Sequence, residues 1–331
     1  MRMRILAAGF LLPFVLTGTA RPAPAHPSSA PAADASTRSQ IRPLITGISH
    51  IAVYTSDPAA ADHFYRVDLG AARLPDPEDA QGTRYAFNPT QFIEVLPLPA
   101  GAGIVRLDHT AWNTTNAEGM RRYLGEKGWK VPAGVETGAD GSRWFTVLDP
   151  EGNKVQFVEP PRHPRPVEAP TEIGNRIIHF GFMVHSRAAE DAFYRDLLGF
   201  RPYWFGGMKP GRLDWVSQQV PDGHDWIEYM LTSGPSSSGI PAGMTQRALG
   251  VLDHFSIGEV SVPAAYKELE AGNRLTGRHD QGPKVGLDGK YQFNLYDPDG
   301  IRVELMNLHA TEKPCCSEFT ASDPTPQDKW K

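Results

Sequence analysis

Cysteine is nearly missing from this chain. Its 331 residues hold only Cys315 and Cys316, side by side in a polar tail. No disulfide framework can hold the fold, so a packed core must. The adjacent pair has the chemistry for a vicinal disulfide or a metal, and we assign it no role. An excess of one charge sign is missing as well. The net charge is -5, with acidic and basic residues interspersed. That argues for a small-molecule substrate and no nucleic acid or membrane partner. Long apolar runs are missing except near the start. Arg2 and Arg4 precede the stretch Ile5 to Val15, and small residues follow at Gly18-Thr19-Ala20 and Ala23-Pro24-Ala25. This is the layout of a secretory signal peptide, too short to span a membrane. Residues 1–25 are therefore expected to be a signal and 26–44, rich in Ala, Pro and Ser, a flexible leader. The expected location is secreted or periplasmic, with the protein a monomer or homodimer.

What is present is an internal repeat. The strand-like run Gly47 to Val53 contains His50, and the run Ile177 to Val184 contains His179. A helical stretch follows each, with Phe64-Tyr65-Arg66 in the first and Phe193-Tyr194-Arg195 in the second. The His lies 16 residues before the Arg in both places. Gly70 and Gly199 then stand where a helix C-cap is expected. A second unit type opens on Leu107-Asp108-His109 and again on Leu252-Asp253-His254. It closes on the turns Asp149-Pro150-Glu151-Gly152 and Asp297-Pro298-Asp299-Gly300, whose chemistry makes the flanking strands antiparallel. The expected fold class is α+β, with four βαβββ modules in tandem. The expected boundaries are 45–161 for the first module pair, 162–175 for a Pro-rich linker, 176–309 for the second pair and 310–331 for the tail. Pairing of one with two and three with four, or a swapped arrangement, remains open at this point.

These residues resemble the vicinal-oxygen-chelate superfamily of glyoxalase I, bleomycin-resistance proteins and extradiol ring-cleaving dioxygenases, over about residues 45–309. The resemblance implies modules paired into curved mixed sheets that cup a metal site, with metal ligands on the first and last strands of the paired modules. In the second half those positions hold His179, Glu228, His254 and Glu304. Two imidazoles with carboxylates suit one divalent transition metal (Fe, Mn, Ni, Co or Zn) with places left for substrate. Asp253 is a candidate acceptor to fix the His254 tautomer. The first half offers a weaker set, His50, Glu94, His109 and Gln156, in which an amide replaces the last carboxylate.

The set with a second carboxylate implies an exported glyoxalase-type lyase or isomerase acting on vicinal oxygens, with Glu228 and Glu304 as the proton-handling catalytic residues. An extradiol dioxygenase needs only His179, His254 and Glu304. Its pattern also carries a Tyr, where Asn294 stands, and a His in a window that Val285 to Leu287 leave empty. A metal-free binding module of the bleomycin-resistance type is the third reading; ligand positions drift under it, and only the first half has drifted. Tyr203, Trp204, Phe205, Trp215, Trp226 and Tyr229 in unit three read first as core packing, second as a stacking pocket.

Overall fold

The computed structural model of the protein describes residues 41–103, 105–169, 173–209, 211–231, 252–326 and 328. The expected signal and most of the leader lie outside these residues, and so does the Gly/Ser/Pro segment 233–243. Four units appear, each a strand, a helix and three hairpin-linked strands. The first is β1 (Ile45–Thr55), α1 (Pro58–Asp62), β2 (Ala72–Pro75), β3 (Thr83–Asn88) and β4 (Gln91–Pro97). The second is β5 (Leu107–Thr114), α2 (Ala117–Glu126), β6 (Glu136–Thr137), β7 (Arg143–Leu148) and β8 (Lys154–Glu159). The third is β9 (Ile177–Val184), α3 (Arg187–Asp191), β10 (Arg201–Gly206), β11 (Trp215–Gln219) and β12 (Trp226–Leu231). The fourth is β13 (Leu252–Glu259), α4 (Val262–Ala271), β14 (Lys284–Val285), β15 (Tyr291–Tyr296) and β16 (Arg302–Asn307).

Two curled mixed sheets result, ordered β2-β3-β4-β1-β5-β8-β7-β6 and β10-β11-β12-β9-β13-β16-β15-β14. Unit one thus pairs with two through β1 and β5, and three with four through β9 and β13. The swapped arrangement is not formed. Each unit joins its first strand to its last in parallel, which its helical crossover permits.

Local chemistry explains the punctuation. Asp57 accepts a hydrogen bond from Ala60 N at 3.0 Å, and Asn116 accepts from Gly119 N at 2.8 Å, capping α1 and α2. Gly70 and Gly199 take φ of 73° and 83° at the ends of the first and third helical stretches. Between helix and glycine lies a π-helical turn in both units, His63–Asp68 and Ala192–Leu197, that holds the repeated Phe-Tyr-Arg motif. The sequence reading expected a helical stretch there without fixing its type. In the closing hairpins Asp149 Oδ1 accepts from the amides of Glu151 and Asn153, and Asp297 Oδ1 from those of Asp299 and Ile301. That is why aspartate opens each turn.

One apolar core includes residues of both halves, with Trp112 packed against Phe180 and Phe200. The hairpin turns lock the halves reciprocally. Asp299 accepts from Thr55 Oγ1 and Ser56 N at the start of α1, while Glu151 accepts from the amides of His185 and Ser186 before α3. Among the described residues no helix is long and apolar enough to cross a membrane.

The tail departs from expectation. It runs from one edge of the second sheet to the other, bonding at Gly289 and Leu287 beside β14 and then at Tyr203 and Phe205 on β10. The buried Lys290 ammonium anchors it, donating to Asp323 at 2.9 Å and to Leu308 O and Tyr203 OH at 3.0 Å. Where this strap crosses, Cys315 and Cys316 are joined by a disulfide, one of the chemistries open to the adjacent pair. A vicinal pair needs no distant partner, and composition therefore could not reveal it.

Candidate metal centre

Side chains alternate across a strand, so register decides which residues share the concave face. In the second sheet Gly181 pairs with both Glu228 and His254, while Ser256 pairs with both His179 and Glu304. His179 and Gly181 are two apart on β9 and face the same way. Four strands therefore deliver His179, Glu228, His254 and Glu304 to one face, as the sequence reading expected. Gly181 provides the room: the His254 ring lies over its Cα.

The four groups converge at the base of the cup. His179 Nε2 and His254 Nε2 are 2.9 Å apart. Glu304 Oε2 is 3.3 Å from His179 Nε2, and Glu228 Oε2 is 3.6 Å from His254 Nε2. His254 Nδ1 donates to Asp253 Oδ1 at 2.8 Å, so its Nε2 presents a lone pair to the cup. Arg302 pairs with the same Asp253 and holds it in place. Trp226 stacks on the His179 ring at 4.6 Å between centroids.

The electrostatics suit a cation. Burial holds His179 neutral, lowering its pKa to about 4. Burial and the nearby Glu304 push Glu228 up to about 8. Burial also opposes ionisation of Glu304, but His179, His254 and Arg302 outweigh it and lower its pKa. Glu304 Oε2 is buried without a hydrogen-bond partner. A buried carboxylate oxygen left unmatched beside two imidazoles is costly unless a cation meets it. The donor set fits a divalent transition ion, with these four residues as its holders.

A cavity of about 310 Å³ opens on Glu228, His254 and Glu304. Trp204 and Trp215 form one wall and the 284–288 loop another. The aromatics of unit three thus divide: Trp204 and Trp215 line the cavity, Trp226 stacks on His179, and Tyr229 belongs to the core. The sequence reading missed Lys284, Asp288, Gln292 and Arg302 as lining residues. For Arg302 a signal existed, two residues before Glu304 on the same strand face. Asn294 pairs in register with Glu304 and donates to Asp280 at 2.8 Å, so no Tyr hydroxyl stands there.

The first half repeats the arrangement with a different filling. His50 Nε2 and His109 Nε2 are 2.8 Å apart, with Glu94 Oε2 at 3.7 and 3.6 Å from them. His109 Nδ1 donates to Asp108 at 2.7 Å, and Lys154 pairs with Asp108 as Arg302 does with Asp253. Phe92 stacks on His50 as Trp226 does on His179. Gln156 stands at the position of Glu304 and donates its amide to Glu78 at 2.8 Å. Arg84, in register with Glu94, ion-pairs with Asp76 and Glu78 and lies over Phe92. Ser217 holds the matching place beside Glu228. Burial, then the adjacent Asp76 and Glu78, push Glu94 up to about 10. Glu159, on the closing strand of the second unit, accepts from Ala117 N at the start of α2.

The family model described as "Glyoxalase/Bleomycin resistance protein/Dioxygenase superfamily" matches residues 47–157 and 176–305. A search of curated proteins returned no match. Among solved structures, a catechol 2,3-dioxygenase is similar at 16% identity, covering 83% of this chain and 96% of that one, with a TM-score of 0.59. The homoprotocatechuate 2,3-dioxygenase of Brevibacterium fuscum is similar at 18% identity, with 87% and 85% covered and a TM-score of 0.57. The Mn(II)-bound glyoxalase of Novosphingobium aromaticivorans is similar at 17% identity, with 86% and 89% covered and a TM-score of 0.59. At such identities the likeness establishes the fold. Two matched segments, one in each half, show that this chain belongs to the glyoxalase/bleomycin resistance protein/dioxygenase superfamily.

Proposed function

We propose that the protein is an exported, divalent-metal-dependent enzyme whose second half carries out lyase- or isomerase-type chemistry on a small substrate with vicinal oxygens. The observation that carries this reading is the meeting of two imidazoles and two carboxylates at the base of an accessible cavity. His179, His254, Glu228 and Glu304 would hold the metal. A bound divalent ion supplies Lewis acidity, stabilising negative charge that develops on a substrate oxygen. The chain's own part is proton handling and positioning. Glu304, almost fully buried against His179, is suited to staying in place. Glu228 is the more exposed carboxylate, touches the cavity and receives only a 3.4 Å hydrogen bond from Ser217 Oγ. It is suited to taking a proton from carbon beside a carbonyl and returning it to the neighbouring carbon. Trp204 and Trp215 would exclude water from one side of the substrate. The Arg2/Arg4 leader supports export.

Ring cleavage is the second reading, favoured by the similar structures entitled catechol and homoprotocatechuate 2,3-dioxygenase. Against it stand Asn294 at the Tyr position and a 285–287 window without His.

The test is a reaction of the Mn-loaded protein in deuterated water with a panel of α-dicarbonyl and α-hydroxycarbonyl compounds and catechols. Deuterium entering at the carbon beside a carbonyl, lost in Glu228→Gln with its metal retained, supports the proposal. Oxygen uptake with catechols, insensitive to Glu228→Gln, would replace it with ring cleavage. Wild-type protein that binds no metal removes both.

A further inference from the structure

The strap that crosses the second sheet has an anchored part and a bridging part. In the anchored part Phe319 packs on Tyr203 at 4.9 Å between ring centroids and lies beside Trp204 at 6.5 Å. Phe319 and Ala321 pack against a buried cluster that holds Trp226 and Met306. Trp226 is two residues from Glu228 and Met306 two from Glu304, so the strap lies over the concave face that bears those carboxylates. The Lys290 ammonium, paired with Asp323, fixes it there. The bridging part is 312–317. On one side Cys315 N donates to Leu287 O at 2.7 Å, and Leu287 lines the cavity. On the other side Ser317 Oγ donates to Phe205 O at 3.0 Å and accepts from Phe205 N at 2.9 Å. Phe205 adjoins Trp204 of the opposite wall. The disulfide therefore sits in the span that joins one cavity wall to the other.

Cys316 holds that span at a sharp turn. Ser317 N donates to Cys315 O at 2.8 Å, a γ-turn centred on Cys316, whose φ is 75°. That form of the turn is rare and strained for a residue with a side chain. The bond between the sulfurs closes a small ring through the Cys315–Cys316 peptide and keeps the turn in place. Cys316 is exposed and Cys315 half-buried, so a reductant meets the pair from solvent.

We propose that Cys315–Cys316 is a redox-modification site, and that its reduction by a dithiol widens the mouth of the second cup. The proposal rests on the second-half reading only in taking that cup as the one that receives substrate. A thiolate of the dithiol attacks the Cys316 sulfur, the S–S bond breaks, and Cys315 leaves and takes up a proton. The second thiolate of the dithiol then displaces Cys316. The strap gains two electrons and two protons, and the reductant departs as its own disulfide. Without the ring, Cys316 returns to negative φ. Cys315 N and Ser317 Oγ flank that turn directly, so the bonds to Leu287 and Phe205 do not both survive the change. The bridge between the walls is lost while Phe319 and Asp323 stay anchored. An oxidising compartment keeps the bridge in place.

The experiment is hydrogen exchange of the full chain, read by mass spectrometry before and after dithiothreitol, with free thiols counted alongside. Both cysteines should appear as thiols. Exchange at 312–317 and at Phe205 should become about tenfold faster, the factor that loss of one ordinary backbone hydrogen bond allows. Segment 319–323 should keep its rate. Cys315→Ser/Cys316→Ser should exchange like the reduced chain and ignore dithiothreitol. Widening is read without reductant, as the rate at which dipicolinate strips Mn²⁺ from that variant, expected to exceed the wild-type rate. Thiols that appear with exchange unchanged, a bond that dithiothreitol leaves intact, or equal stripping rates would overturn the proposal. Exchange needs neither metal nor substrate. A chain that binds no Mn²⁺ therefore removes the proposed function, while the exchange result still decides the redox site.

Discussion

Gly181 is the position at which a single methyl group should separate folding from metal binding. A Cβ built there stands 2.6 Å from His254 Nδ1 and closer still to Cε1. Ordinary contact needs 3.4 Å or more, so the imidazole must retreat by about 1 Å. His254 cannot retreat freely, because Nδ1 is bonded to Asp253 and Asp253 is held by Arg302. The Gly181→Ala strain should therefore cost about 1–3 kcal/mol of stability, the range for one extra methyl in a packed site. Its larger effect falls on the ligand. A displacement near 1 Å in a positioned catalytic group costs about 10²-fold, and the affinity of the second-half site should fall by that order. Ala52 is the built-in control, occupying the same register between Glu94 and His109 in the first half. There the His109 ring accommodates a Cβ. Metal titration by calorimetry, with far-UV circular dichroism to show a folded chain, reads both effects. Wild-type affinity in a folded Gly181→Ala protein would refute the claim that this glycine exists to seat His254.

Three other outcomes follow from the same geometry. Asp253→Asn removes the negative charge that faces His254 Nδ1 and pairs with Arg302; affinity at the second-half site should drop about 10–100-fold in the same calorimetric titration. Lys290→Met leaves Asp323 without its buried cation and frees the strap. A loss of about 3–5 kcal/mol in denaturant melts, with new proteolytic cleavage after residue 309, is expected; an unchanged cleavage pattern would contradict the anchoring role. Glu190 is fully buried with neither oxygen hydrogen-bonded, and burial followed by repulsion from Asp149 raises its pKa to about 9. The folded state thus holds a proton that the unfolded chain releases near pH 4.5, so this group's contribution declines as pH rises from there through about 9. Glu190→Gln should flatten that decline in melting-temperature profiles and melt above wild type at pH 9.

The repeat was readable because its carriers are local. Alternation along a strand puts His179 and Gly181 on one face whatever the rest of the chain does. An Asp-Pro-acid-Gly turn fixes where Glu304 falls, since Asp297 Oδ1 must reach the amides of Asp299 and Ile301. The positions of all eight first- and second-half residues follow from those two rules and from the likeness between units. What stayed hidden depends on approach across distance. The stacking of Phe92 and Trp226 on ligand rings arises from parallel pairing of each module's first and last strands, and no window of sequence contains both. The strap needs Lys290 and Asp323 to meet with Tyr203, which lies 87 residues before Lys290.

The deepest divergence between the halves sits outside the ligand sets. On ligands alone the two cups differ by one amide, Gln156 for Glu304, and that is how the sequence ranks them. Structurally the deciding residue is Arg84, which stands beside Glu94 where Ser217 stands beside Glu228. An arginine in that place, neutralised by Asp76 and Glu78, fills the first cup beside Glu94 where the second stays open beside Glu228. The clamp also uses up the Gln156 amide through Glu78. A carboxylate at 156 would set a further acidic group against Glu78, whereas the amide donates to it, so the amide suits the clamp. Gln156 and Arg84 are thus coupled through Glu78: the clamp that holds the guanidinium makes a hydrogen-bond demand, and the Gln156 amide satisfies it.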